Sequence, residues 1–342
     1  MRIAIRVDSS LQIGTGHVAR TLALAIELRK QGARVEFLCR DLPGNVAGLA
    51  GAQGFTVHFL GSHSPLECVN LLQSAKPRFT GLVIDHYELN ADWEQVIRPF
   101  VDRILVIDDL ADRLHSCDFL LDPNFGVENE LRYRYLVPAD CKMLMGPGYA
   151  LLRAEFETLR SQAELRRNVA SPIQRLVVFY GGIDLTDETS KTLDALDQLA
   201  KADLQVDVVL GASNPRQAEV KKRIDGREGY RCLIQVANMA ELMLAADLAI
   251  GAGGTASWER LCMGLPSLVI SVAENQTQAS INLSQAGFHF YLGKSAEVSV
   301  SALAQAIARR LDHADETSQF GQKGMKLVDG LGCQRAAREL TK

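Results

Sequence analysis

Two series of short runs rich in Val, Ile and Leu divide this chain. The first comprises Ile3–Val7, Arg34–Leu38, Thr56–Phe59, Gly81–Ile84, Arg103–Ile107 and Phe119–Leu121. The second comprises Arg175–Tyr180, Gln205–Leu210, Cys232–Gln235, Leu248–Ile250 and Ser267–Ile270. Continuous apolar runs of this length belong to strands buried on both faces, as in parallel sheets, and the stretches separating many of them have amphipathic helical character. Strand and helix in alternation predict an α/β protein with one doubly wound sheet in each half. A single hydrophobic core stops growing near 250–300 residues, roughly, so a chain of 342 residues is expected to hold two domains. Residues 1–150 are assigned to the first and 151–342 to the second. The crossover falls between Asp140 and Pro172, around Gly146-Pro147-Gly148 and Ser171-Pro172.

Charge and composition remove several function classes. With 37 basic against 41 acidic residues and a net charge of −4, the chain has no electrostatic footprint for nucleic acid. No run approaches the roughly 20 apolar residues of a membrane span, and the chain opens on a strand instead of a charged leader, so a cytoplasmic protein without a membrane partner is expected. The seven cysteines are scattered with no C-x-x-C spacing, which reads as reduced, buried thiols. No tight cluster of metal ligands stands out and no cofactor is called for. The sequence does not fix the oligomeric state, and a monomer is the working expectation.

Chemistry in a doubly wound sheet belongs at the carboxyl ends of strands. After the first strand come Asp8 and then Gly14-Thr15-Gly16-His17 at a helix start. Gly14 and Gly16 let a ligand approach the backbone, and the positive end of the helix favours the neutral imidazole that a general base needs. His17 reads either as that base or as a cap. The spacing is not G-x-G-x-x-G, and no acidic residue ends the second strand, which argues against a dinucleotide. Val83-Ile84-Asp85-His86-Tyr87 ends another strand; Asp85 or His86 suits tuning of the base, and Tyr87 suits a hydrogen bond to a sugar or phosphate. In the second half, Gly253-Gly254-Thr255-Ala256-Ser257-Trp258-Glu259 carries a strand through glycines into a helix, where free N–H groups and the hydroxyls of Thr255 and Ser257 suit a diphosphate. Glu259 suits both hydroxyls of a ribose or, alternatively, a capping box. Asn275 and Gln276 stand at another helix start, suited to uncharged sugar groups or to capping. Gly181-Gly182-Ile183-Asp184 offers backbone N–H groups to phosphates.

Taken together, Gly14-Thr15-Gly16-His17, Gly253 to Glu259 and Glu274-Asn275-Gln276 resemble the metal-independent GT-B superfamily of UDP-sugar enzymes. More narrowly, the segments from Arg6, Val83, Val106, Met145 and Gly251 resemble the UDP-2,4-diacetamido-2,4,6-trideoxy-β-L-altropyranose hydrolases of pseudaminic acid biosynthesis. The resemblance implies two Rossmann-like domains facing a cleft, with the last helix packing back on the first, and a UDP-sugar substrate. It implies that His17 activates water, that Tyr87 and Asn275 hold the substrate, that Glu259 binds the uridine ribose, and that the backbone at Val236 reads uracil. Ile183 departs from the Ser of the related transferase's glycine-rich turn, which leaves only a backbone role there. A transferase acting on another acceptor is the alternative, as is a non-catalytic nucleotide-sugar binder. A membrane-associated transferase would carry basic residues beside an apolar patch, whereas Leu42–Ala50 is apolar with none.

Overall fold

The computed structural model describes residues 1–126, 129–169, 171–199, 201 and 203–342. The chain divides into two compact units, Met1–Leu152 with Leu331–Lys342, and Arg153–Gly330. Unit 1 is built on β1 (Arg2–Val7), β2 (Arg34–Arg40), β3 (Thr56–Leu60), β4 (Gly81–Asp85), β5 (Arg103–Ile107), β6 (Phe119–Asp122) and β7 (Lys142–Met145). These form one sheet in the order β3-β2-β1-β4-β5-β6-β7, parallel throughout. Unit 2 contains β8 (Arg175–Phe179), β9 (Gln205–Leu210), β10 (Tyr230–Ile234), β11 (Leu248–Ala252), β12 (Ser267–Ser271) and β13 (Phe290–Lys294). Its order is β10-β9-β8-β11-β12-β13, again all parallel.

Side chains alternate across each strand, so a parallel strand covered on both faces needs apolar residues at nearly every position. In β1, Ile3, Ile5 and Val7 enter a core layer with the helix Gly16–Lys30, while Ala4 enters the layer on the other face with Leu38, Leu82 and Ile84. β7 and β13 are the strands that the apolar runs did not mark. Both lie at a sheet edge; β13 is half-buried throughout, and β7 offers only Met143-Leu144-Met145 after an exposed Lys142, so neither stands out as a run rich in Val, Ile and Leu.

In both units the winding reverses at the first strand of the series. β1 has β2 on one side and β4 on the other, and β8 has β9 on one side and β11 on the other. At such a reversal the connections leave in opposite directions, and the carboxyl ends of the two central strands are left uncovered for ligands.

The chain closes on a helix, Gly332–Thr341, that packs on the helix Gly16–Lys30 of unit 1. Cys333, Ala336, Ala337 and Leu340 fill the same core layer as Leu24 and Leu28. No helix among the described residues is long and apolar enough to cross a membrane. Because Leu340 is sealed in the core of unit 1, Leu340→Ala is expected to destabilise that unit by about 2–5 kcal/mol. Trp93 and Trp258 belong to different units, so a Trp258→Phe background leaves Trp93 to report the urea transition of unit 1. An unchanged midpoint there would show that the terminal helix contributes nothing to unit 1.

Candidate active site

At the reversal in unit 1, β1 leads through a tight loop into the helix that carries His17. Gly14 holds φ +84°, a conformation other residues adopt at a cost, and its N–H donates to the Ser10 carbonyl at 2.9 Å. The helix begins at Gly16, and Thr15 before it supplies no side-chain cap. His17 and Arg20 are separated by three residues and so share one helix face. That face meets Asp85 at the end of β4. The His17 Nδ1 lies 2.6 Å from Asp85 Oδ1, and Arg20 donates to both oxygens of the same carboxylate at 2.7 Å each. Its remaining terminal nitrogen reaches Asp109 Oδ2 at 3.0 Å.

Burial alone would raise the Asp85 carboxyl, but the charge of Arg20 and the hydrogen bonds from Arg20 and His17 outweigh it and hold the group well below the usual carboxylate range. An ionised carboxylate only accepts hydrogen bonds. The proton between them therefore sits on His17 Nδ1, and the lone pair of the neutral ring is fixed on Nε2. Nε2 has no hydrogen-bond partner among the described residues and keeps access to solvent. Tyr87 packs edge-on to the ring, with centroids 4.7 Å apart at 83°, and its hydroxyl bonds to Asp109. Burial first and then the Asp109 charge push the Tyr87 phenol up, so it remains a donor across the neutral range. His17, Asp85, Arg20, Tyr87 and Asp109 thus form one connected group. Asp109 belongs to the strand end Val106-Ile107-Asp108-Asp109, which in the sequence reads as a cleft wall or a helix cap; Arg20 was not singled out, although its three-residue spacing from His17 was readable there.

Asp8 belongs to a second group, and the expectation that it contacts substrate is corrected. Arg6 grips both of its oxygens at 2.5 and 2.9 Å, Arg40 donates its backbone N–H and Nε at 2.8 Å each, and His86 Nε2 adds a bond of 3.1 Å. With five donors on two buried oxygens, the side chain ties the ends of β1, β2 and β4 together and has no acceptor capacity left for a ligand. His86 accordingly holds Asp8 and does not touch His17. Asp8, His63 and His86 also form a group whose donor atoms lie within 4.8 Å of one another, close enough for a metal ion. The charge balance opposes one. Two guanidiniums already neutralise the carboxylate, and the Glu88 N–H donates to His86 Nδ1 at 3.0 Å, which places the ring proton on the nitrogen that would have to bind the metal.

In unit 2 the corresponding turn follows β11. Gly254 has φ +76° and precedes the helix Thr255–Cys262 with no side-chain cap. A Cβ at Gly253 would stand 2.8 Å from Ser280 Oγ and 3.0 Å from Gln276 Cβ, so the turn closes only with glycine there. Gln276 braces it from the loop after β12, its Oε1 accepting from the Val272 N–H at 3.1 Å. Gly253, Gly254 and Gln276 are therefore brought together. Thr255 and Glu259 follow one turn apart on the helix, both half-buried. Glu259 forms no capping box: it lies beyond the third helical residue and pairs with Arg153 at 3.3 Å. Burial raises its carboxyl, and Arg153 offsets this only in part. Asn275 is exposed in the loop after β12, and Val236 is half-buried in the loop between β10 and the helix Met239–Ala245.

Two expectations change here. Ser257 is buried, and its hydroxyl accepts from Arg260 at 3.1 Å instead of lining the turn's outer side. Asp184 accepts from the N–H groups of Glu188 and Thr189 at 3.0 and 2.9 Å, so its carboxylate caps the helix Glu188–Leu199. Both side chains are buried and held by these bonds within the protein; Gly181 and Gly182 before Asp184 keep the backbone of the turn.

No protein-family model matches the chain. The UDP-2,4-diacetamido-2,4,6-trideoxy-β-L-altropyranose hydrolase of Campylobacter jejuni is 30% identical over 289 residues, covering 84% of this chain and 98% of that protein. The spore coat polysaccharide biosynthesis protein SpsG of Bacillus subtilis is 30% identical over 61% of this chain and 61% of its own length. Among solved structures, MurG of Acinetobacter baumannii has a TM-score of 0.68 at 13% identity, covering 99% of both chains. The UDP-GlcNAc 2-epimerase of Neisseria meningitidis, bound to UDP-GlcNAc, has a TM-score of 0.68 at 10% identity over 100% of both. These structures establish the fold as two Rossmann-like domains of the GT-B type. Identity extending over nearly all of the Campylobacter enzyme establishes the closer kinship: the chain belongs to the UDP-2,4-diacetamido-2,4,6-trideoxy-β-L-altropyranose hydrolase family.

Proposed function

We propose that this protein hydrolyses a UDP-linked 2,4-diacetamido-2,4,6-trideoxy sugar at its anomeric C1–O bond, releasing UDP and a free sugar for pseudaminic acid biosynthesis. One observation carries the reading: the 2.6 Å hydrogen bond by which Asp85, itself held ionised by Arg20, fixes the His17 lone pair on Nε2. An imidazole oriented by a buried carboxylate is the arrangement of a general base.

In this reading Nε2 takes a proton from water as the oxygen attacks C1. The C1–O bond breaks on the opposite face, the electron pair leaves with UDP, and the anomeric centre inverts. Uncapped N–H groups at the start of the helix Thr255–Cys262, with the Thr255 hydroxyl and the backbone of Gly253 and Gly254, meet the diphosphate charge without calling on a metal. Glu259 accepts from the ribose hydroxyls, the backbone at Val236 reads uracil, and Tyr87, Asn275 and Gln276 hold the sugar. Gly14 and Gly16 let the substrate approach the loop before His17.

Incubation with the UDP-sugar in oxygen-18 water, without any acceptor, tests the reaction. Expected are UDP with an unshifted phosphorus-31 spectrum and free sugar released in the inverted anomeric form. Oxygen-18 in the UDP phosphate would mean P–O cleavage, and no turnover without an added acceptor would favour a transferase. His17→Asn is expected to lower kcat by about 100- to 10,000-fold while leaving the Kd for UDP unchanged. Asp85→Asn is expected to lower kcat at least about 100-fold and also to lower Tm, because removing one side of a buried ion pair costs about 3–5 kcal/mol. A His17→Asn enzyme with near-normal kcat would reject the base, and an Asp85→Asn enzyme with normal kcat would reject its orienting partner.

A further inference from the structure

Arg260 follows Glu259 in the helix that leaves the glycine turn, and it is 2% exposed. One terminal nitrogen donates to the Ala252 carbonyl at 2.7 Å and to Ser257 Oγ at 3.1 Å. The other packs under Gly251, 3.2 Å from where a Cβ would stand. Nε is sealed from solvent with no hydrogen-bond partner. Among the described residues no carboxylate oxygen comes within 4.0 Å of the guanidinium. Glu259 acts on it only at longer range and is itself paired with Arg153. The neighbouring Tyr180 hydroxyl is occupied with Thr192 at 2.9 Å.

A buried charge without a counter-ion is costly, and native structures pair such groups or neutralise them. Burial does pull the Arg260 guanidinium down, but only to about 10, so at neutral pH it stays charged. Arg6 and Arg20, also buried, have carboxylates at bonding distance in Asp8 and Asp85, whereas Arg167, 7% exposed, bonds only to the Met243 and Met263 carbonyls, at the opposite end of the helix Thr255–Cys262 from its glycine turn. Arg260 instead lies beneath Gly251 and Ala252, directly before the uncapped helix start at Thr255. The two features are independent, one a backbone conformation and the other an unpaired side chain, and both ask for negative charge in the same place.

We infer that Arg260 is a fixed positive charge built beneath the glycine turn to attract the diphosphate of the ligand, which serves as its missing counter-ion. This rests on the reading of that turn as the diphosphate site. Arg260 acts through the turn: its bonds to Ala252 and Ser257 set the direction of the following N–H groups, and its field strengthens them. It is therefore a positioning residue that discriminates a charged nucleotide from a neutral nucleoside.

The test compares UDP with uridine by calorimetry or ligand-observed NMR on the full chain. Arg260→Gln keeps an N–H donor for the Ala252 carbonyl and removes the charge; Arg260→Lys keeps the charge. In Arg260→Gln the Kd for UDP is expected to rise at least about tenfold, the Coulomb effect of one charge about 12 Å away at an effective dielectric near 20, with uridine unaffected. Arg260→Lys is expected to bind UDP within about threefold of wild type. Equal UDP affinity in wild type and Arg260→Gln, or parallel loss of UDP and uridine, overturns the inference and leaves Arg260 a structural pin. Wild-type protein that binds neither ligand overturns the diphosphate site itself. If Arg260→Gln does not fold, melts with inorganic pyrophosphate decide: Tm rises for wild type and Arg260→Lys if the charge attracts the diphosphate, and the absence of any rise overturns the inference.

Discussion

Burial of both faces of an all-parallel sheet governs where this protein can keep polar chemistry. Along β1, β4, β8 and β11 nearly every side chain is sealed in a core layer, so charged groups are pushed to the strand ends. At most ends the next connection covers them. Where the winding reverses, between β1 and β4 and between β8 and β11, it does not. His17 with Asp85, and the turn Gly253-Gly254-Thr255, occupy those two places. Their positions follow from strand order before any side-chain chemistry is considered.

Within unit 1 the strand ends gather carboxylates that would repel one another if left alone. Asp8, Asp85 and Asp109 are each assigned cations: Arg6 and Arg40 to the first, Arg20 shared between the other two. The sharing by Arg20 matters. One guanidinium keeps Asp85 ionised against burial and orients Asp109, which in turn holds Tyr87 against the face of His17. The proton position on His17 is thereby set by a residue one turn further along its own helix.

Much of the fold was legible because buried parallel strands leave an unmistakable composition. The strands that stayed hidden, β7 and β13, sit at edges where half-buried positions admit Lys, Tyr and Gly. The place of the terminal helix followed from the resemblance alone, since nothing in Cys333 to Leu340 names the partner surface, which lies over 300 residues away in the helix Gly16–Lys30. Site residues divided along a similar line. Glycines and strand-end positions were readable, because backbone geometry is local. Whether a strand-end carboxylate or hydroxyl serves a ligand or the fold was not, because both uses need the same acceptor. Asp8 is decided by Arg40 on another strand, Asp184 by the N–H groups of the helix that follows it, and Ser257 by Arg260 one turn on. Glu259 shows the reverse case: its capping alternative fell away because its partner is Arg153, 106 residues earlier in the chain.

The two candidate sites treat buried charge in opposite ways, and the difference fits their proposed tasks. A general base must be held in one tautomer before substrate arrives, so unit 1 neutralises its carboxylates internally and its ion pairs are complete without a ligand. A site for an anion gains affinity when its positive charge is left unsatisfied, since bonds made within the protein would have to be broken first. Unit 2 accordingly leaves the helix start at Thr255 uncapped and Arg260 without a carboxylate. Such a site is costly while empty, and that cost is offset only by ligand charge. On this argument UDP contributes stability to unit 2 as well as occupying it, and its stabilising effect exceeds that of uridine by the part of the interaction that depends on the diphosphate.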